Sequence, residues 1–184
     1  MSVQTRTQLQ TSAATITNET AAGANTAARV GGLFDDLADT ATLDRERGVA
    51  NLYLDESKNF TPTQGQAVKL TTPLKNGLLS TYNFTRTTTA ITYTGTTSAA
   101  LRVSASMVFS QGNGNQIIIY IAKNGTIIPQ SMTDITTGHN NGHAIFTEVV
   151  LQGAVNDEFT IYINAVSDGG TITISALSFT VHTL

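Results

Sequence analysis

Short runs of alternating apolar and polar residues, separated by turn signals, fill the chain from about Gln64 to Leu184. The clearest run is LRVSASMVF, in which every second side chain is apolar. A period of two places these side chains on one face of a strand. The members of this predicted inward face are Leu101, Val103, Ala105, Met107 and Phe109. We expect a half-buried strand whose residues Arg102, Ser104 and Ser106 face water.

Turn signals join this strand to several others. Asn124-Gly125 separates two apolar stretches in NQIIIYIAKNGTIIP, and both residues tolerate a positive φ, which predicts a tight hairpin. AIFTEVVLQG, EFTIYINAV and TITISALSFTV follow as strands. About one residue in six is threonine, and β-branched side chains favour strands. The pattern predicts a mainly β fold, an antiparallel jelly-roll sandwich of about seven to nine strands.

Two of these strands are apolar on both faces. In QIIIYIA, Ile118 and Tyr120 point opposite to the flanking isoleucines, and EFTIYINAV repeats the pattern with Tyr162. One face of a strand in an antiparallel sandwich normally meets water and is polar. A neighbouring subunit would cover the second apolar face most simply. We therefore predict that Ile118, Tyr120 and Tyr162 lie in a subunit interface.

A short amphipathic helix is predicted over residues 26–42, with Asn25 or Thr26 as its N-cap. Its apolar stripe consists of Val30, Leu33, Phe34, Leu37, Ala38 and Ala41. Gly31 and Gly32 each cost roughly 0.8–1 kcal/mol relative to alanine, so a helix this short cannot stand alone in water. Two partners stay open for the stripe. The helix docks on its own β domain, or copies from sister chains pack around a shared axis.

The segments around this helix carry no strand pattern of their own. Residues 1–25 are small and polar, which predicts either a floppy terminus or a peptide that becomes ordered against a larger partner. Residues 43–63 hold much of the charge and are interpreted as a connector. The predicted organisation is therefore an extended anchoring segment (1–25), a helix (26–42), a connector (43–63) and a jelly-roll head (64–184).

Composition excludes several classes of function. Only 12% of the residues are charged, the net charge is −3, and the ten basic residues are spread along the chain, so we expect no nucleic-acid partner. No apolar run approaches the length of a membrane span. The first residues lack the apolar core of a secretory signal, which predicts synthesis in a cytoplasm. Without cysteine, neither disulfides nor thiolate metal sites are available.

Candidate catalytic and metal-binding residues are few. His139 and His143 in GHNNGH are the one pair of candidate metal ligands. Zinc needs three or four ligands, however, and only Asp134 is near in sequence. A variant of this hypothesis places the histidines of several copies around a shared axis. The chain has no GxSxG elbow, and its acidic pairs are adjacent residues, which strands and turns separate or leave solvated. We expect no enzyme activity, no cofactor and no metal.

Two stretches, ALRVSASMVFSQGNGNQIIIYIAKNGTIIPQS and VVLQGAVNDEFTIYINAVSDGGTITISALSFTVHTL, resemble a known family. They are similar to the trimeric jelly-roll heads of the tumour-necrosis-factor and complement-head type. They more closely resemble the versions found at the ends of tailed-bacteriophage fibres. TITNETAAGANTAARVGGLFDDLAD resembles the short helix that precedes such heads in phage structural proteins, including those of crAss-like phages. Val155-Asn156-Asp157 stands where many relatives have Gly-Asp, a departure confined to a turn.

The resemblance implies a homotrimer, with the N-terminal end attached to a virion and the heads pointing outward. The stripe residues Val30, Leu33, Phe34, Leu37 and Ala41 would then form a trimerisation helix, and residues 1–25 would bind a capsid or other virion protein. The expected function is a structural head fibre or capsid decoration, assembled in the host cytoplasm. The alternative is a tail-fibre module that recognises a host surface glycan or protein, where three heads raise avidity. A hydrolytic fibre domain lacks the acid pair that it would need.

Overall fold

The computed structural model of the chain describes Thr11 and residues 48–79, 83–111, 114–138, 142–167 and 169–184. The strands are β1 (Val49–Leu54), β2 (Lys58–Phe60), β3 (Ala67–Lys69), β4 (Lys75–Leu79), β5 (Phe84–Arg86), β6 (Ile91–Tyr93), β7 (Ala99–Ser110), β8 (Gln116–Lys123), β9 (Thr126–Ile127), β10 (Thr133–Thr136), β11 (His143–Gly153), β12 (Glu158–Ala165) and β13 (Ile172–Thr183). A 3-10 turn spans Pro129–Ser131. Within this described part, no helix has the length and apolar content needed to cross a bilayer.

The strands form two antiparallel sheets. The first sheet has the order β11-β7-β13-β1-β4, with β2 paired to β13. The second has the order β10-β8-β12-β6-β5, with β3 paired to β12 and β9 to β8. The predicted mainly β antiparallel sandwich is confirmed. The structure has more strands than predicted because the short pieces, such as β2 and β3, are too brief to show an alternating pattern.

The core lies between the sheets and follows the predicted parity. All five inward residues of β7, from Leu101 to Phe109, are at most 1% exposed. The inward isoleucines of β8 are fully buried against the same core. Asn124 and Gly125 adopt φ values of 52° and 78°, so the hairpin between β8 and β9 forms as predicted.

The predicted connector over residues 43–63 is wrong from residue 48 onward. Val49–Leu54 forms β1, which pairs with β13 over six residues, and Lys58–Phe60 forms β2. Ala50, Leu52 and Leu54 point inward and are buried, so this strand is part of the core. The charged residues that follow it obscured this short alternation. The compact β unit therefore extends over Gly48–Leu184.

Candidate functional site

The outer face of the first sheet is built mostly from small, uncharged side chains. Strand register places every second residue of β11, β7 and β13 on this surface. We call it the small-residue face, and its members are Ala144, Phe146, Glu148 and Val150 of β11, Ala100, Arg102, Ser104, Ser106 and Val108 of β7, and Ala176, Ser178, Thr180 and His182 of β13. Arg102 and Glu148, the two members with a formal charge at neutral pH, lie 3.5 Å apart. Depletion of charge is typical of the cores of protein interfaces.

Large apolar side chains project from this face. Phe146 is 56% exposed, Val150 55% and Val108 38%. Phe146 and Val150 belong to β11, the edge strand, and Phe146 lies opposite Ser106. Neither Phe146 nor Val150 was predicted from the sequence as an interface residue. The available signal was AIFTEVVLQG, in which Phe146 and Val150 have the parity opposite to the inward residues Ile145 and Thr147.

Polar groups where β13 pairs with β1, on the same side of the sheet, bond to one another. The Asn51 side-chain amide of β1 donates to Ser178 Oγ at 3.0 Å and to Thr180 Oγ1 at 2.9 Å. Gly77 of β4 leaves the space for this amide, because a Cβ there would lie 2.2 Å from Asn51 Oδ1. Polar groups that already have protein partners lose little when water is removed. Another protein surface can therefore cover this region with only a small desolvation penalty.

The three interface residues predicted from the sequence lie on the other sheet. Ile118 and Tyr120 of β8 and Tyr162 of β12 are half-buried on its outer face, and Tyr120 pairs with Tyr162 across the strands. The structure thus brings the predicted residues together. That a neighbouring subunit covers these three side chains stays a prediction. The predicted helix residues Val30, Leu33, Phe34, Leu37 and Ala41 lie outside the described residues.

The histidine pair gains no further ligand in the described part of the chain. His143 Nε2 lies 3.0 Å from the Gly138 carbonyl oxygen, and its ring packs 5.9 Å from that of Phe109. His139 lies outside the described residues. The described residues contain no group of three or more histidine, aspartate or glutamate side chains that could hold a metal ion. Metal binding around a subunit axis is still untested.

A buried carboxylate organises the turn between β11 and β12. Asp157 is only 7% exposed, although adjacent acids at a turn were expected to be solvated. It accepts hydrogen bonds from Ala154 N at 2.8 Å and from the Asn124 amide at 2.7 Å, and Lys123 Nζ lies 3.1 Å away. Burial raises the pKa of Asp157, but these hydrogen bonds and the Lys123 charge outweigh it, so the pKa lies below its ordinary value. The cluster joins this turn to the β8–β9 hairpin.

Asp157→Asn should destabilise the domain at neutral pH and much less in acid. Because the folded pKa is depressed, the stabilisation from the carboxylate is present above the unfolded pKa of about 3.9 and is lost as the pH falls through the folded pKa. We expect a loss of about 1–3 kcal/mol at pH 7 from the weakened buried hydrogen bonds. Urea unfolding of both proteins at neutral and acidic pH measures this. An equal loss at both pH values would contradict the assigned role of the charge.

Comparisons with solved structures find the same architecture. Phage PRD1 vertex protein P5 superposes with a TM-score of 0.50 at 10% identity, over 74% of this chain and 96% of that chain. The globular domain of zebrafish complement 1qA gives 0.50 at 11% identity, over 76% and 98%. Murine APRIL gives 0.49 at 11% identity, over 75% and 99%. The β unit has the jelly-roll fold of the complement-head type.

Sequence comparisons add nothing to this assignment. No protein-family profile matches the chain, and no curated protein matches it either. At these identities the structural likeness shows the fold alone. The jelly-roll part of the resemblance seen in the sequence is confirmed at that level.

Proposed function

We propose that this chain is a structural virion protein, a homotrimeric head fibre or capsid decoration. In this proposal residues 1–25 attach it to a phage particle and its β domains point outward. The jelly-roll fold, which this chain shares with a phage vertex protein, supports the proposal. So do the phage-fibre motifs of the sequence.

The observation that carries the proposal is the small-residue face. A face with one internal ion pair, satisfied amides and exposed Phe146 and Val150 is suited to burial against another copy of the chain. Phe146 projects from an edge strand, so the edge of one copy can pack on the small side chains of the next. Such a contact joins two different surfaces, and a threefold rotation closes it into a ring.

The helix over residues 26–42 is the second element of the proposed trimer. Its stripe of Val30, Leu33, Phe34, Leu37 and Ala41 would pack around the threefold axis and hold the three N-terminal segments together. Leu37→Asp tests this clamp, because a carboxylate in the stripe should weaken the association of subunits. Residues 1–25 would extend from this clamp to a capsid or other virion protein.

Deleting residues 1–25 tests the attachment. We expect the shortened chain to stay soluble with the mass of the full-length oligomer and to be absent from purified particles. Loading is measured by immunoblotting particles that are assembled with either form. Normal loading of the shortened chain would contradict the proposed role of this segment.

The alternative function is a receptor-binding module at the tip of a tail fibre. The adjacent tyrosines Tyr120 and Tyr162 on the outer face of the second sheet favour it, because exposed aromatic rings are common in ligand contacts. Immunogold labelling of intact particles separates the two functions. Label on the head supports the head fibre or decoration, and label on the tail supports the receptor-binding module.

A further inference from the structure

Tyr120 and Tyr162 form an aromatic pair on the outer face of the second sheet. They face each other across β8 and β12, and Lys69 of β3 lies on the other side of Tyr162. The next pair on this face is Ile118 with Asn164. We call these residues the tyrosine row: Tyr120, Tyr162, Lys69, Ile118 and Asn164.

The ring of Tyr162 lies along the sheet. Its hydroxyl is 3.5 Å from the carbonyl oxygen of Gly125, in the hairpin beyond the end of β8. A side chain that reaches from β12 to this hairpin passes over the outward positions Thr160 and Ala122. These two residues are only 1% and 0% exposed, although register places them on the outer face. One side of the ring therefore packs on the sheet and the other is available to a ligand.

Two buried polar atoms on the same face of β12 as Tyr162 have no hydrogen-bond partner. Thr160 Oγ1 and Asn164 Oδ1 have no hydrogen bond in the described structure. They belong to the residues two positions before and two positions after Tyr162, so all three share one face of β12. An unpaired buried polar atom costs about 1–3 kcal/mol. Because the Tyr162 ring extends over Thr160 toward Gly125, a shift of this ring would open Thr160 Oγ1 to a ligand, whereas Asn164 lies on the opposite side of Tyr162.

The one cation of the tyrosine row already has a carboxylate partner. Lys69 Nζ lies 3.4 Å from Glu158 Oε1. The row therefore offers no unpaired positive charge that would select a polyanion. Two half-buried tyrosines and one isoleucine offer at most a few hundred Å² of apolar area. This is much less than the roughly 800 Å² per partner of a stable protein interface.

We propose that the tyrosine row binds a neutral saccharide. The C–H face of a pyranose ring would stack on the outer side of Tyr162, and its hydroxyl groups would reach the Asn164 side chain and the Tyr120 hydroxyl. An aromatic platform beside amide and hydroxyl groups suits a ligand with one apolar face and a polar rim. The site depends on a single subunit and does not rest on the proposed virion role.

Saturation-transfer NMR on the full chain tests the proposal. The probes are methyl α-D-glucopyranoside, methyl β-D-galactopyranoside, methyl α-D-mannopyranoside and N-acetylglucosamine at millimolar concentration. We expect at least one probe to show transfer to its ring protons. The chain contains five tyrosines and no tryptophan, so a titration of tyrosine emission gives a second measure of the same binding.

Variants of the tyrosine row test whether the saccharide binds by stacking on the tyrosine rings. Tyr120→Ala and Tyr162→Ala should weaken binding about tenfold, whereas Tyr162→Phe keeps the ring and should retain it. Tyr53→Ala, at a half-buried tyrosine on the outer face of the first sheet, is the matched control and should bind normally. Circular dichroism confirms that each variant is folded.

Three outcomes would overturn the proposal. The first is that none of the four probes binds the wild-type chain. The second is that binding survives both alanine variants. The third is that Tyr120→Ala lowers the oligomer mass, which would make the tyrosine row a subunit contact, as the sequence pattern predicted.

Discussion

Replacing Phe146 with aspartate should convert the proposed trimer into monomers. Phe146 is 56% exposed in the single subunit and lies beside Ser106 on the small-residue face. Burying a phenylalanine side chain contributes roughly 1.5–3 kcal/mol, and a closed trimer repeats this contact three times. A carboxylate at the same position also has to be dehydrated without a cationic partner, which is unfavourable. Light scattering after size-exclusion chromatography measures the mass at micromolar concentration.

Two matched variants control this experiment. Val155→Asp places the same carboxylate at a 42% exposed apolar position in the turn between β11 and β12, away from the face, and should keep the mass of the wild-type oligomer. Tyr120→Asp tests the interface that the sequence predicted. If Tyr120→Asp dissociates the oligomer and Phe146→Asp does not, the subunits meet through the second sheet and our assignment of the interface is wrong.

Gly95→Ala should lower the free energy of unfolding of the β domain more than Asp157→Asn does. A Cβ at residue 95 would lie 2.1 Å from the Tyr93 hydroxyl oxygen and 2.3 Å from Cζ of the same ring. Tyr93 is fully buried, packs 5.5 Å from Phe84, and donates a hydrogen bond to the Thr97 carbonyl at 2.8 Å. The ring cannot move aside without losing these contacts. We expect the free energy of unfolding to fall by roughly 2–4 kcal/mol, measured by urea denaturation.

Gly138→Ala is the matched control for this substitution. A Cβ at Gly138 would meet no atom within 4 Å, and its φ lies outside the left-handed region. We expect its stability to change by less than about 0.5 kcal/mol. Equal losses in the two variants would show that the contact between residue 95 and the Tyr93 ring is unimportant.

The strands with regular alternation could be predicted from the sequence. In β7 one parity carries every apolar side chain that enters the core, and the Asn124-Gly125 turn has few alternatives to a hairpin. β1 was missed because its short alternation is followed at once by Asp55, Glu56 and Lys58, which gave the region the composition of a linker. Pairing with β13 outweighs that local signal.

The candidate surfaces were harder to predict because they depend on strand order. Tyr120 and Tyr162 were recognised as outward apolar residues, but only the β8–β12 register makes them neighbours. Phe146 and Val150 looked like ordinary members of an apolar strand, and only the packing of the two sheets shows that their side of β11 faces outward. The need for glycine at residue 95 could not be predicted from the sequence, because it depends on the direction in which the buried Tyr93 ring extends.

The mass of the full-length chain in solution tests the central claim most directly. We would measure it by multi-angle light scattering after size-exclusion chromatography, without ligands. We expect a particle of about three times the 19.4 kDa chain mass, because the small-residue face and the stripe of the predicted helix would each be covered by a neighbouring copy. A stable species of 19.4 kDa would contradict the account, since the exposed Phe146 and Val150 would then remain uncovered in the free protein.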